Sequence, residues 1–291
     1  MRMKLAVPLA LALTFIITLP AVAEPSSGCG RPPSEPPTAV AVDGWDRRVI
    51  VAVPEDYASD RPYPLVVAFH GRTNDNARVR RYYGLEEDGD AAIFAYPAGL
   101  RDDSGRFTWA DPGDPGEDLR DYALFDRLLA DLGARYCVDL DAVFVVGHSL
   151  GASFANDLAC ARGHRIRAVA SVAGGISQED CRDRVAALLL HNPDDRLVPV
   201  GEGRRARDVF LAENGFDGPP PQPSQIAGFA CRRYGGGGHP VLWCPHDHDL
   251  TPQGRRYPHQ WPPDAGAAIM AFFRQVAGLI PPPETGSAGS G

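Results

Sequence analysis

The stretch VFVVGHSLGASFAN, residues 143–156, decides the fold class. A run of β-forming residues ends at Gly147, a serine follows at Ser149, and small apolar residues resume after Gly151. The order of strand, G-x-S-x-G and helix predicts a sharp turn that exposes a nucleophilic serine at the edge of a sheet. The glycines would let the chain bend without Cβ clashes. The alternative is a glycine-rich turn in which Ser149 only caps the helix.

Strand-like and helix-like patterns alternate along the rest of the chain. Several apolar runs are hydrophobic at both alternate positions, as strands buried on both faces are. The helix-like runs keep one apolar face, and Asp264 is predicted to cap the last of them. This alternation predicts an α/β fold with a mostly parallel central sheet and helices on both faces. The predicted strands are 48–54, 64–71, 92–97, 142–147, 166–174 and 186–193, and the predicted helices are 121–136, 152–162 and 264–276.

The length and composition predict one sizeable domain, and the first residues predict that it is exported from the cell. The chain has 291 residues, 44% of them hydrophobic, and a formal charge of −8, which argues against a nucleic-acid or anionic-membrane partner. A short basic start, an apolar run too short for a comfortable membrane span and the small residues AVA are typical of a signal peptide. An uncleaved anchor helix is the alternative. We predict a signal peptide at 1–23, a Pro/Ser-rich segment at 24–44, one α/β domain at 45–280 and a disordered tail at 281–291, with no stable membrane insertion after cleavage.

The cysteines fit an oxidising compartment. Their even number favours disulfides, and none has the spacing of a metal site. We favour a bond between Cys231 and Cys244, because only a short glycine-rich loop separates them. The six cysteines are Cys29, Cys137, Cys160, Cys181, Cys231 and Cys244.

A nucleophilic serine needs a base, and the base needs an acid that orients it. In such sheets these groups gather beyond the carboxyl ends of the strands, in the chain order serine, acid, histidine. The loop after the strand at 186–193 is predicted to carry the acid. Asp195 is favoured because the D-x-x-V-P pattern then continues into the next loop; Asp194 is the alternative, and a plain surface turn is the other explanation. His259, in a loop just before the last helix, is predicted as the base.

Two backbone segments are predicted to bind the oxyanion of the reaction. The N–H of Leu150 begins the helix that follows Ser149. The segment AFHGRTND, residues 68–75, ends a strand in His-Gly and is predicted to supply a second donor from Gly71, Arg72 or Thr73. A plain glycine turn is the alternative for this segment.

The other histidines divide into two groups. Those that adjoin the predicted site are interpreted as residues that shape it: His70, His148 and His191. The less favoured candidates for the base, after His259, are His239, His246 and His248. The segment CPHDHD, residues 244–249, offers no strongly placed third metal ligand, so we predict a solvated polar loop and no metal site.

Several segments together resemble secreted feruloyl esterases and polyhydroxybutyrate-depolymerase-like esterases. They are PYPLVVAFHG, AIFAYPAGL, GHSLGASFAN, AVASVAGG, HNPDDRLVPV and HQWP, in this order. The resemblance implies an α/β-hydrolase fold and serine esterase activity without a cofactor, with Ser149, Asp195 and His259 as nucleophile, acid and base. The chain departs from the family at two points. The acid motif, closer to H-G-x-x-D in relatives, reads HNPDD, and Arg-Thr-Asn follows His70-Gly71 where relatives have Cys-Gly.

The resemblance also suggests the substrate. Aromatic residues in predicted loops would suit hydroxycinnamoyl esters on plant cell-wall polysaccharide, although they could equally just pack those loops. Depolymerisation of polyhydroxybutyrate or another aliphatic polyester is the enzymatic alternative, and a catalytically inactive hydrolase-fold binding protein is the non-enzymatic one. The residues predicted to contact substrate are Trp261, Tyr96, Trp109 and His148, with Tyr234 and Trp243 as further loop aromatics.

Overall fold

The structure is a computed structural model that describes residues 23–87, 92–110, 120–235 and 238–278. The predicted signal peptide at 1–23 falls almost entirely outside these ranges, and the predicted tail at 281–291 lies wholly outside them. No helix within the described ranges has both the length and the apolar character needed to cross a bilayer.

The strands are β1 Ala39–Val42, β2 Trp45–Ala52, β3 Tyr63–Phe69, β4 Ile93–Pro97, β5 Leu100–Arg101, β6 Phe107–Thr108, β7 Val138–His148, β8 Ala168–Val172, β9 Ala186–His191, β10 Gln222–Ile226, β11 Phe229–Tyr234 and β12 Val241–Pro245. The helices are α1 Asn76–Tyr82, α2 Arg120–Arg135, α3 Leu150–Ala161, α4 Val200–Glu213 and α5 Ala265–Val276.

Across the described ranges, ten strands form one sheet in the order β1-β2-β4-β3-β7-β8-β9-β12-β11-β10. The strands from β4 through β12 in this order pair in parallel, and two antiparallel strands flank them at each end. The prediction of a mostly parallel central sheet is therefore confirmed. The sheet begins inside the predicted Pro/Ser-rich segment, since β1 lies at Ala39–Val42.

Helices cover both faces of the sheet. Alternate residues of β3 point to opposite sides: Val67 belongs to the core cluster that includes residues of α2, α3 and α4, and Val66 belongs to the cluster that includes residues of α1 and α5. Both faces are thus buried, which explains why the central strands read as continuous apolar runs. These features confirm the predicted α/β-hydrolase architecture.

The start of α5 differs from the prediction. Asp264 precedes the helix in the left-handed region, with φ at 60°, and its side chain makes no capping hydrogen bond. The interpretation of Asp264 as a side-chain N-cap is therefore wrong, because a capping side chain needs an extended backbone from which to reach the first-turn N–H groups.

Three disulfides cross-link the described chain. They are Cys29–Cys137, Cys160–Cys181 and Cys231–Cys244, so the favoured pairing of Cys231 with Cys244 is confirmed. The first bond fixes the N-terminal segment against the start of β7, where Ser26 also donates a hydrogen bond to the Tyr136 carbonyl at 2.8 Å. The others tie the end of α3 to the loop before β9, and β11 to β12.

Candidate active site

The turn between β7 and α3 holds Ser149 in a strained conformation. Its φ is 57° and its ψ is −127°, a combination that L-residues rarely adopt. A Cβ at Gly147 would overlap the carbonyl oxygen of Gly151, and a Cβ at Gly151 would overlap that of Phe69. The Ser149 side chain makes no capping hydrogen bond, so the helix-cap alternative does not explain this serine. The turn instead presents a half-buried hydroxyl at the carboxyl edge of the sheet.

Two side chains from distant loops form a hydrogen-bonded chain that ends at this hydroxyl. His259 Nε2 lies 2.7 Å from Ser149 Oγ, and His259 Nδ1 lies 2.6 Å from Asp195 Oδ2. The other carboxylate oxygen of Asp195 accepts the N–H groups of Leu197 at 2.8 Å and Val198 at 3.1 Å. With Nδ1–H donated to the carboxylate, Nε2 is left to accept the serine proton. The arrangement can therefore activate the hydroxyl for attack on a carbonyl carbon.

The two aspartates of the acid loop have different environments. Asp195 is buried, and although burial alone would raise its pKa, the hydrogen bond from His259 and those from the backbone of Val198 and Leu197 hold the pKa below its usual value. Asp194 is exposed and pairs with Arg256 at 2.5 Å. Of the two alternatives, the structure places Asp195 against the imidazole.

Two backbone segments lie beside Ser149. The first helical bonds of α3 run from Ala152 and Ser153 to the Ser149 carbonyl, so the N–H of Leu150 precedes the hydrogen-bonded turn. On the other side, a Cβ built at Gly71 would lie 3.4 Å from Ser149 Cβ and 4.0 Å from its Oγ. Arg72 and Thr73 follow Gly71 directly. The two segments named from sequence as oxyanion donors thus lie beside the serine.

Each of three neutral histidines fixes one loop of the site. His70 accepts the Gly99 N–H at Nε2, so its Nδ1–H donates to the Gly71 carbonyl at 2.9 Å. His148 donates from Nε2 to the carbonyl of His259 at 3.0 Å, and His191 donates to that of Val198 at 2.9 Å. Burial lowers the pKa of His70 to about 4, and burial together with His259 lowers the pKa of His148 to about 3. Burial also lowers the pKa of His191.

Three of the residues predicted to contact substrate are enclosed by the fold. Tyr96 lies in β4, fully buried, with its hydroxyl donating to Glu86 at 2.8 Å. Trp109 stacks on Phe154 at 5.2 Å and donates its indole N–H to the His70 carbonyl. These two predictions are wrong, because both rings complete the packing beneath the site. His148 is likewise buried and engaged with His259, which corrects its assignment as a substrate contact.

The loop placement of two further aromatics was also wrong. Trp243 is buried in β12, and Tyr234 is a partly buried residue of β11. Tyr234 lies in the antiparallel strand β11, whose alternate residues are exposed or partly buried, so it shows no continuous apolar run. Trp243 lies in β12, a strand of only five residues that pairs in parallel with β9.

The predicted contact Trp261 does lie beside the triad, partly buried. It stacks on Tyr83 with ring centroids 3.9 Å apart and lies 6.1 Å from the ring of His148. Tyr82 meets its edge at 6.2 Å, and Tyr257, 38% exposed, lies 6.0 Å from the ring of His259. Sequence reasoning missed Tyr82 and Tyr257, since α1 is too short to show a helical period and Tyr257 lies in an irregular loop.

The histidines of the polar loop are placed differently from one another. His246 is buried, and neither of its ring nitrogens has a hydrogen-bond partner among the described residues; burial and then His248 lower its pKa to about 4. The prediction of a solvated loop is therefore wrong at His246. Within the described ranges no group of three or more His, Cys, Asp or Glu side chains is arranged to hold a metal ion. His239 precedes β12, at the sheet edge opposite Ser149.

Comparisons with known proteins give a family match, similar relatives and a structural neighbour. Residues 41–255 match the model of the putative esterase family. The chain is similar to feruloyl esterase D of Neurospora crassa, at 31% identity over 90% of this chain and 94% of that protein. It is similar to feruloyl esterase C of Emericella nidulans, at 30% identity over 86% and 93%. An acetyl xylan esterase from Aspergillus awamori shares the fold, with a TM-score of 0.55 and 15% identity over 67% of this chain and 86% of that one.

Proposed function

We propose, on the premise that this chain belongs to the putative esterase family and is a carboxylic ester hydrolase, that it is a secreted feruloyl esterase. It would release hydroxycinnamic acids from esters on plant cell-wall polysaccharide. The observation that carries the proposal is the chain of hydrogen bonds from Asp195 through His259 to Ser149, in a protein about 30% identical to feruloyl esterases over most of its length.

The proposed reaction has two halves. His259 takes the proton of Ser149 as the hydroxyl attacks the ester carbonyl, and Asp195 stabilises the imidazolium that forms. The N–H of Leu150 and a second N–H from residues 71–73 bind the oxyanion of the tetrahedral intermediate. His259 then protonates the departing alcohol, which leaves Ser149 acylated. Water, deprotonated by His259, attacks the acyl-enzyme and releases the acid with Ser149 restored.

An aromatic surface beside the triad supports a hydroxycinnamoyl substrate. The partly buried Trp261 lies near the ring of His148 and against the partly buried Tyr82, and the exposed Tyr257 lies near the ring of His259. A planar cinnamoyl ring can pack on such rings, where offset or edge contacts add about 0.5–1.5 kcal/mol per pair beyond the buried area. Trp261 is the best-placed contact, because Tyr83 already fixes its plane.

Two features support export to the extracellular space. The first residues read as a signal peptide, and the three disulfides of the described chain are of a kind that persists in oxidising compartments. Export would bring the enzyme to a polysaccharide substrate outside the cell.

Substrate comparison tests the proposal. Purified enzyme is given methyl ferulate and, separately, polyhydroxybutyrate, with Ser149→Ala as the background control for each. We expect ferulate release that the control lacks, and little release of hydroxybutyrate. Turnover of the polyester with no turnover of methyl ferulate would replace the proposed function with polyester depolymerisation.

A further inference from the structure

A cleft of about 550 Å³ beside the predicted oxyanion segment collects positive charge. The whole chain carries a formal charge of −8, so this cluster opposes the overall charge of the protein. All five of its arginine residues are exposed. The charged residues that line this arginine cleft are Arg72, Arg78, Arg81, Arg101 and Arg106, with Asp75.

The arginines of the cleft are only partly neutralised. Arg72 and Arg106 share one carboxylate, that of Asp102, at 3.9 Å and 3.8 Å. Among the described residues, no acidic side chain forms an ion pair with Arg78 or Arg81. The lining carries five guanidinium groups, and the carboxylates of Asp75 and Asp102 offset only part of that charge, so the cleft keeps an excess of positive charge.

The cleft adjoins the reacting hydroxyl. Arg72 directly follows Gly71, whose backbone lies against Ser149, and the Phe107 N–H donates to the Arg72 carbonyl at 3.2 Å. Helix α1 supplies Arg78 and Arg81 from one side, and the β5–β6 hairpin supplies Arg101 from the other. The Arg101 guanidinium lies 3.8 Å over the ring of Phe107, which fixes its plane.

We propose that the arginine cleft binds carboxylate groups of an acidic polysaccharide, so that the natural ester is carried on a uronate-containing polymer. Guanidinium groups match carboxylates through paired hydrogen bonds. Several arginines spread over one cleft suit a polymer that presents carboxylates at repeated intervals. The inference rests on the proposed function, and it adds that the polymer to which the acyl group is attached is negatively charged.

Binding to soluble polymers tests the cleft directly. Affinity electrophoresis compares polygalacturonate with neutral dextran and with dextran sulfate matched for charge concentration. The variant Arg78→Gln/Arg81→Gln removes two positive charges of the cleft. The matched control is Arg135→Gln/Arg165→Gln, at exposed positions on the opposite edge of the sheet. We expect the native enzyme to bind polygalacturonate. Its affinity should fall roughly two- to tenfold in the cleft variant and stay unchanged in the control variant, and it should fall as the salt concentration rises.

Hydrolysis separates this inference from the proposed function. Methyl ferulate turnover should be unchanged in the cleft variant, while the KM for feruloylated pectin should rise and that for feruloylated neutral arabinoxylan should not. Polygalacturonate binding no tighter than dextran binding, or equally lost in both variants, overturns the inference, and equal binding of dextran sulfate overturns its assignment to carboxylates. If methyl ferulate is not hydrolysed at all, the proposed function fails. The binding results would still test whether the cleft binds polymer carboxylates.

Discussion

The ring of His148 holds the backbone of His259 in place. The two ring centroids lie 5.1 Å apart, and His148 Nε2 donates to the His259 carbonyl at 3.0 Å. The residue that precedes the proposed nucleophile thereby positions the loop that carries the proposed base, although 111 residues separate them in sequence.

Substitution of His148 should lower turnover by misplacing His259. We expect His148→Leu to reduce kcat about 10- to 100-fold with little change in KM, because the lost hydrogen bond lets the loop shift. His148→Gln keeps an N–H donor and should retain most of the activity. Steady-state kinetics on methyl ferulate, with thermal unfolding as a control for folding, make the comparison. Equal losses in both variants would show that the donor is not what matters.

The two adjacent aspartates should differ sharply in their effect on activity. Asp195→Asn should cut kcat by about 10⁴-fold, since the amide no longer holds the imidazole in the tautomer that accepts the serine proton. Asp194→Asn, which removes only an exposed pair with Arg256, should change kcat less than about twofold. The same esterase assay measures both variants, and a larger loss in Asp194→Asn would reverse the assignment.

Acid should destabilise the native protein partly through Asp195. Its pKa is lower in the folded state than the value of about 3.9 in an unfolded chain. The carboxylate therefore contributes stability above that value, and the contribution is lost as the pH falls through the folded pKa. Denaturant unfolding between pH 6 and pH 3 should show a steeper loss in the native protein than in Asp195→Asn. Parallel curves would contradict the low pKa.

Close packing at the serine turn predicts a contrast between two glycines. Gly151→Ala should lower the free energy of unfolding by about 1–3 kcal/mol and reduce activity strongly, because the added methyl overlaps the Phe69 carbonyl. Gly201→Ala, in the first turn of α4 with no atom within 4 Å of the new Cβ, should be neutral or stabilise by up to about 1 kcal/mol. Chemical denaturation measures both, and a neutral Gly151→Ala would argue against the tight turn.

Much of the central fold followed from local patterns. Strands β3, β7, β8 and β9 are buried on both faces and read as unbroken apolar runs, and α2 shows a clear apolar face. The outer strand β10 has mostly exposed or partly exposed residues and no such pattern. Its place depends on pairing with β11, which is tertiary information.

The site was predictable where backbone geometry dictates the residue. Gly147 and Gly151 are required by the turn itself, so the motif located Ser149. The choice between Asp194 and Asp195 depended on which carboxylate faces the imidazole. Side chains of adjacent residues in an irregular loop point in different directions, and the sequence does not show which one faces the site. Tyr96 and Trp109 looked like cleft residues because their burial is set by helices and loops distant in the sequence.

Labelling by a fluorophosphonate tests the central claim most directly, since such probes phosphonylate only a serine made nucleophilic by its neighbours. Intact-mass and peptide analysis should find one adduct, located on Ser149, absent in Ser149→Ala and formed far more slowly in His259→Ala. An adduct on another residue, or full hydrolysis of methyl ferulate by Ser149→Ala, would contradict the account.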